Sequence, residues 1–436
     1  MKRLLQFFCW TSLMFFSAQV FAFDLSQRVV EYHLPNGMTW LLVERHQAPV
    51  FAGYISVKVG GIDEAPGKTG LAHMFEHLMF KGTPKLAENE IWEIFARNGS
   101  PNLNASTNKD VTTYHADLPI NRLELWMKVF AETFRAPSLR NFYTERSVVL
   151  EERRMRVDND PSGQVFEKLT NTAFADGPNH WSAIGSAADI AGLTEEDAVQ
   201  FYAKHYGAQN MVGVLVGDIN IAATKKMLQQ YFAQLPAGQK TLAPQKSTPR
   251  AGLSEQVKVA ADPLLLLAYH KPVLPNSIQY TFDVAQTVLC DGPSSRLYKT
   301  LVLEKKLAKT VNCGDGYPGE RSDNLLMVLT QPLKGISLKK LQQATEEVLA
   351  SLESNPASAE EMLRVQRKLE ADLIFSLSSN NSIAAMLASF QNLYGSWRIL
   401  ETYGAKIAAV QSSDLQKLAH DYFQRSNQVV IERIRK

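Results

Sequence analysis

Apolar and polar positions alternate with a period of two near the start of the chain, shift to a helical period soon after, and repeat that change further on. Residues 28–34 and 38–44 read as strands joined by Pro35-Asn36-Gly37, a strong hairpin signal. Residues 51–59 predict a third strand. A glycine- and acid-containing loop over 60–68 then leads into an apolar helix within 70–82. A second helix is expected over 86–98, stopped by Gly99. Strand 111–118 precedes amphipathic helices over 123–134 and 141–157, and 211–216 is a continuous apolar strand ending in Gly217-Asp218. A helix follows over 221–235.

Residues 236–250 break every periodicity. With Pro236, Pro244 and Pro249 and no apolar run, they read as an interdomain linker. Beyond them the order weakly repeats, with strands over 264–269 and 325–330 and helices over 280–289 and 338–352. Ser358 and Glu361 form a capping box for a third helix, and a last strand covers 428–434. The pattern predicts an α+β chain of two similarly ordered halves, 23–235 and 251–436, around the linker 236–250.

Composition adds a compartment. Lys2 and Arg3 precede an uncharged, mostly apolar run to Gln19, and Val20-Phe21-Ala22 places small residues at −3 and −1 of a cleavage site. Residues 1–22 therefore read as a secretory signal cut near Ala22, with the rest exported to a bacterial periplasm. The apolar run is short for a membrane anchor, and no later stretch suffices to span a bilayer. Losing Lys2 and Arg3 takes the formal charge from +2 to zero, so no single-sign field argues for nucleic acid or an anionic membrane surface. Cys290 and Cys313 remain; a bridge and two buried thiols are both open readings.

The chemistry concentrates in Gly70-Leu71-Ala72-His73-Met74-Phe75-Glu76-His77-Leu78. Four residues apart on a helix, His73 and His77 lie about 40° apart around the axis and can reach one ion. Glu76 sits at the edge of that face, placed to take a proton from a water on the metal without being a ligand. Leu71, Met74, Phe75 and Leu78 cover the other sides, so the helix is largely buried. The order H-x-x-E-H is the inverzincin signature. A zinc held by two histidines and a water lacks one protein ligand. Helix 141–157 offers Glu145 and Glu152 seven residues apart on one face, with Val148 and Val149 between them. Glu151 points about 100° away, towards Arg153 and Arg154, a side read as solvated.

With those residues in place, the chain resembles the pitrilysin/insulinase family of metallopeptidases, which includes the mitochondrial processing peptidases. The resemblance covers essentially everything after residue 22. The family pattern is H-x-x-E-H followed about 75 residues later by E-x(6)-E, and here His77 and Glu152 are 75 positions apart. It implies His73, His77 and Glu152 as ligands of one zinc, Glu76 as general base, and Glu145 as the carboxylate that orients the ligands. Asn104-Ala105-Ser106-Thr107 resembles the edge strand on which the family lays its peptide. The implied fold is two homologous halves, each a mostly antiparallel sheet flanked by helices, enclosing a chamber for short peptides or unfolded segments.

One stretch departs from the family. The second half usually carries an arginine and, seven residues on, a tyrosine that bind substrate and help stabilise the oxyanion. Anchored on Leu307-Ala308, those positions hold Val302 and Lys309, and Arg296 and Tyr298 belong to the motif upstream. The expectation is a zinc-bearing subunit of a heterodimer whose homologous partner carries the Arg/Tyr pair; the alternatives are a homodimer or a chain using other donors. A catalytically weak scaffold or chaperone-like subunit is the competing function. An intact Glu76 argues against it, since a structural site needs no base. A metal hydrolase acting on a non-peptide ester is the third reading, and the edge-strand motif favours a peptide.

Overall fold

In the computed structural model, which describes residues 25–100 and 102–436, the strands gather into two sheets. The expected signal segment, residues 1–22, lies outside the described residues. The first sheet contains β1 (Val29–His33), β2 (Thr39–Glu44), β3 (Val50–Val57), β4 (Asn104–Thr107), β5 (Thr112–Pro119) and β6 (Met211–Gly217), in the order β1-β2-β6-β3-β5-β4. The second contains β7 (Leu253–Val259), β8 (Leu264–Lys271), β9 (Ala308–Tyr317), β10 (Asn324–Pro332) and β11 (Gln428–Arg435), in the order β7-β11-β8-β10-β9. With β1 set aside, both sheets thread their strands in the same spatial order. Each also has one parallel pair, β2 with β6 and β7 with β11. The repeat weakly visible in the sequence is therefore a repeat of topology.

Helices flank both sheets, as expected for the α+β class. On one face of the first sheet, Trp40, Phe51, Ile55 and Tyr114 pack against Phe75, Phe95, Trp126 and Phe130. Its other face, with Leu41, Val43, Ala52 and Val214, is covered by Ile383, Leu387 and Trp397 of the second half. The loan is reciprocal. Helix Pro161–Ala173 of the first half lays Val165 and Leu169 on Leu266, Val429 and Ile431 of the second sheet. Burial on both faces explains why β6 and β8 read as unbroken apolar runs.

Several elements differ from the expectation. The helix foreseen over 86–98 begins only at Glu90, because Thr83 Oγ1 accepts from the N–H groups of Lys85 and Leu86 and Glu90 reaches back to Ala87. Only half of the Ser358 capping box forms: Ser358 accepts from Glu361 N–H at 3.1 Å, while the Glu361 carboxylate binds Arg296. β7 was not foreseen, being an edge strand with mostly exposed side chains. Cys290 and Cys313 are joined as a disulfide, their Cα atoms 5.8 Å apart. Among the described residues, no single helix is long and apolar enough to cross a membrane.

Candidate metal centre

The helix Leu71–Leu78 buries Leu71, Ala72, Met74, Phe75 and Leu78 against the first sheet and turns its remaining face, with His73, Glu76 and His77, into a cavity of about 780 Å³. The helix Phe142–Arg153 packs beside it and closes one side with Glu145, Val148 and Glu152. β4 forms the far wall. Three stretches of sequence separated by loops thus meet in one place.

His73 Nε2 and His77 Nε2 lie 3.6 and 3.4 Å from Glu152 Oε2. Bonds of about 2.0–2.1 Å in a tetrahedral zinc site put neighbouring ligand atoms roughly 3.3–3.5 Å apart. The spacing therefore fits a zinc ion, and two imidazoles with one carboxylate are a donor set that zinc accepts, with a fourth position left open. Burial, reinforced by the neighbouring His77, pushes His73 down to about 4, so its imidazole is neutral and able to ligate. Glu145 does not join the triad: its Oε2 lies 3.5 Å from His77 Nδ1, on the side of the ring away from Glu152, and its Oε1 binds Lys81 Nζ at 2.7 Å.

Glu76 stands apart from the three. Its Oε2 is buried with no hydrogen-bond partner. Desolvation raises its pKa, opposed by the Thr107 hydroxyl and His77. A carboxylate so placed is more basic than an exposed one, and its Oε2 is free to accept a proton.

Asn104, Ala105, Ser106 and Thr107 line the same cavity as β4, the outermost strand of its sheet. β4 pairs with β5 along one side only. Ala105 N–H is met at 2.9 Å by the Asn104 side chain. An N–H aimed at its neighbour's side chain points out of the ladder, so Ala105 and, two residues on, Thr107 present the outward backbone groups, while Ser106 faces β5.

Two readings on the helix Phe142–Arg153 changed. Arg153, expected on a solvated side, is buried, donating to Gly185 O and Glu167 Oε1 at 2.6 Å each; only Arg154 stays exposed, beside Glu151. Val148, read as part of a buried stripe, is half-exposed at the cavity wall. His115 stacks on Tyr54, His180 Nδ1 meets Phe174 O, and His205 is buried. Arg296 is engaged by Glu361 and Asn355 O, Val302 is partly buried, and Lys309 is exposed on β9.

Three contributors were not foreseen. Lys81 follows His77 by four residues and holds Glu145. Arg156 follows Glu152 by four and binds its Oε1 at 2.8 Å from a π-helical turn, Arg154–Asp158. An i,i+4 search from each candidate ligand would have found both. Glu64 accepts from Gly70 N–H at 3.0 Å and Ala72 N–H at 2.8 Å, capping the helix that carries the histidines. An acid just before a helix was its only sequence signal.

Residues 40–186 match the family "Insulinase (Peptidase family M16)", and residues 192–369 match the "Peptidase M16 inactive domain". The chain is 30% identical over 410 residues to the zinc protease PqqE of Helicobacter pylori, covering 91% of each chain. The crystal structure of a protease from Helicobacter pylori superimposes with a TM-score of 0.86 at 28% identity, over 93% of this chain and 99% of that one. The periplasmic protease PqqL from Escherichia coli shares the fold, with a TM-score of 0.76 at 18% identity, over 94% of this chain but 48% of its own length. The chain belongs to peptidase family M16, the insulinase family, and has zinc proteases among its relatives.

Proposed function

We propose that the chain is a zinc endopeptidase that hydrolyses extended peptides or unfolded segments. The observation that carries the reading is the meeting of His73, His77 and Glu152 at metal-ligand spacing, with Glu76 and an unpaired strand edge, in one cavity. Zinc bound there supplies a Lewis acid that polarises the scissile carbonyl and acidifies water. The substrate backbone adds to β4 and is held extended. Glu76 takes the proton of the attacking water and passes it to the leaving amine. Glu145, fixed by Lys81, orients His77, and Arg156 steadies Glu152.

The finer reading is a zinc-bearing subunit in a heterodimer, exported to the periplasm. Val302 has no donor, and Arg296 is held by Glu361 and Asn355, which supports a need for a second chain. The length of the Escherichia coli chain, about twice the matched region, also fits two such units working together. Export rests on the composition of residues 1–22. Metal analysis of the purified chain, with cleavage of a random peptide library alone and with a homologous Arg/Tyr-bearing partner, tests both levels. Zinc with weak cleavage that the partner restores is the expected result. Full activity unaffected by any such partner would end the heterodimer, and a chain without zinc would end the peptidase reading.

A further inference from the structure

The second half reaches the metal centre without lining it. Between β9 and β10 the chain makes a short loop, and Asn324 Nδ2 donates to Gly319 O at 2.8 Å to hold its shape. From this loop Arg321 projects into the first half. Its guanidinium binds both oxygens of Asp63, at 2.6 and 2.9 Å, and donates to Asp110 O at 3.0 Å. The Arg321 and Asp63 side chains are only 3% and 5% exposed. Asp110 answers with its carboxylate, which accepts from the N–H groups of Glu320 and Arg321. The approach is close: a Cβ at Gly319 would lie 2.7 Å from either Asp110 carboxylate oxygen.

Both acids belong to segments that carry the site. Asp63 immediately precedes Glu64, whose carboxylate caps the His73 helix through Gly70 and Ala72. Asp110 sits in the turn between β4 and β5, three residues beyond Thr107. The two segments are zipped together, with Ile62 N–H donating to Lys109 O at 2.8 Å and Gly61 N–H to Asn108 O at 3.2 Å. One buried arginine of the second half therefore clamps the leader of the metal helix to the turn of the edge strand.

We propose that Arg321 is a positioning residue for the reaction: through Asp63 and Asp110 it fixes the distance between the His73/His77 helix and the β4 edge. The inference rests on the zinc-peptidase reading. Its consequence is that the second half, matched by a domain described as inactive, sets the geometry of the first half's site. A bidentate pair transmits position in a way a single point charge does not.

The test uses the full-length chain with Arg321→Met, Arg321→Lys, Asp63→Asn and, as a control on the same interface, Tyr317→Phe, which removes a 3.3 Å hydrogen bond to Phe166 O. Zinc dissociation constants by chelator competition are measured beside kcat and KM on an extended peptide. Arg321→Met and Asp63→Asn should each weaken zinc about tenfold, at the low end for partners outside the ligands, and lower kcat/KM by roughly 10- to 100-fold through misplacement. Arg321→Lys should recover part of both, and Tyr317→Phe should change neither. If Arg321→Met fails to fold, Asp63→Asn and Arg321→Lys carry the test. Zinc affinity, kcat and KM in the Arg321 and Asp63 variants matching Tyr317→Phe would overturn the proposal while leaving the peptidase reading intact. A wild-type chain that neither binds zinc nor cleaves peptide would instead remove the reading beneath it.

Discussion

Glu152 stands beside both histidines, Glu145 beside His77, and Glu64 caps the helix that carries them, so three carboxylates meet three different sets of partners. Glu152 faces both imidazoles, so Glu152→Ala, like His73→Ala or His77→Ala, should abolish stoichiometric zinc in metal analysis. Glu145 meets only the far side of His77, and Glu145→Gln should weaken zinc by about 10- to 100-fold without abolishing it. Zinc lost with Glu145 and kept without Glu152 would reverse the assignment. The E-x(6)-E spacing put both residues on one face without ranking them; the family resemblance implied Glu152 as the ligand, and Glu152 faces Nε2 of both imidazoles while Glu145 faces Nδ1 of His77. Glu64 was not legible, because its role depends on a loop folding back onto a helix end. A fourth carboxylate, Glu320, gives a pH dependence. Burial raises it to about 7, opposed by Lys271 and aided by Asp315, Asp110 and Asp283. The folded chain then binds a proton that the unfolded chain releases above about 4.5, so stability contributed below that value is lost as pH rises towards 7. Glu320→Gln should flatten that loss, on the order of 3 kcal/mol, in urea titrations compared at pH 5 and 8. An unchanged pH dependence would show that Glu320 does not titrate there.

At the scale of elements, β4 lines the metal-site cavity as the outermost strand of its sheet. If peptides add to its free edge, Ala105→Pro removes an outward donor and should raise KM by roughly 2- to 10-fold, with zinc content unchanged. Ser106→Pro should instead disturb pairing with β5 and cost stability. Equal kinetics on every extended peptide after Ala105→Pro would rule out this edge as the docking strand. Elements with strong periodicity were legible: β1, β2, β3, β5, β6 and both helices of the site. β4 is four residues long with a mixed pattern, and only the resemblance pointed to it. β9 and β7 lie at sheet edges, where half-buried side chains leave no clean alternation. Arg153 was misplaced because its partners, Gly185 and Glu167, lie far along the chain.

The whole molecule is two repeats that exchange cover. Helix Asn380–Tyr394 closes the first sheet and helix Pro161–Ala173 closes the second. Residues 25–235 alone would leave Leu41, Val43, Ala52, Val214 and Val216 facing water, a patch that favours aggregation. That fragment should therefore lack a cooperative thermal transition and run as aggregate in gel filtration, whereas the full chain unfolds cooperatively. A monomeric fragment with a sharp transition would show that the exchanged helix is dispensable. The exchange was not legible in the sequence, since a helix's apolar face does not name the sheet it covers.

The central claim is that Glu76 moves the proton in a zinc-dependent hydrolysis. Glu76→Gln keeps shape and burial while removing the base, so zinc content and peptide turnover, measured together on wild-type and variant chains with any required partner present, separate binding from catalysis. The predicted result is equal zinc in both and turnover lower by roughly 10²–10⁴-fold in the variant. Near-normal turnover by Glu76→Gln with zinc in place would contradict it.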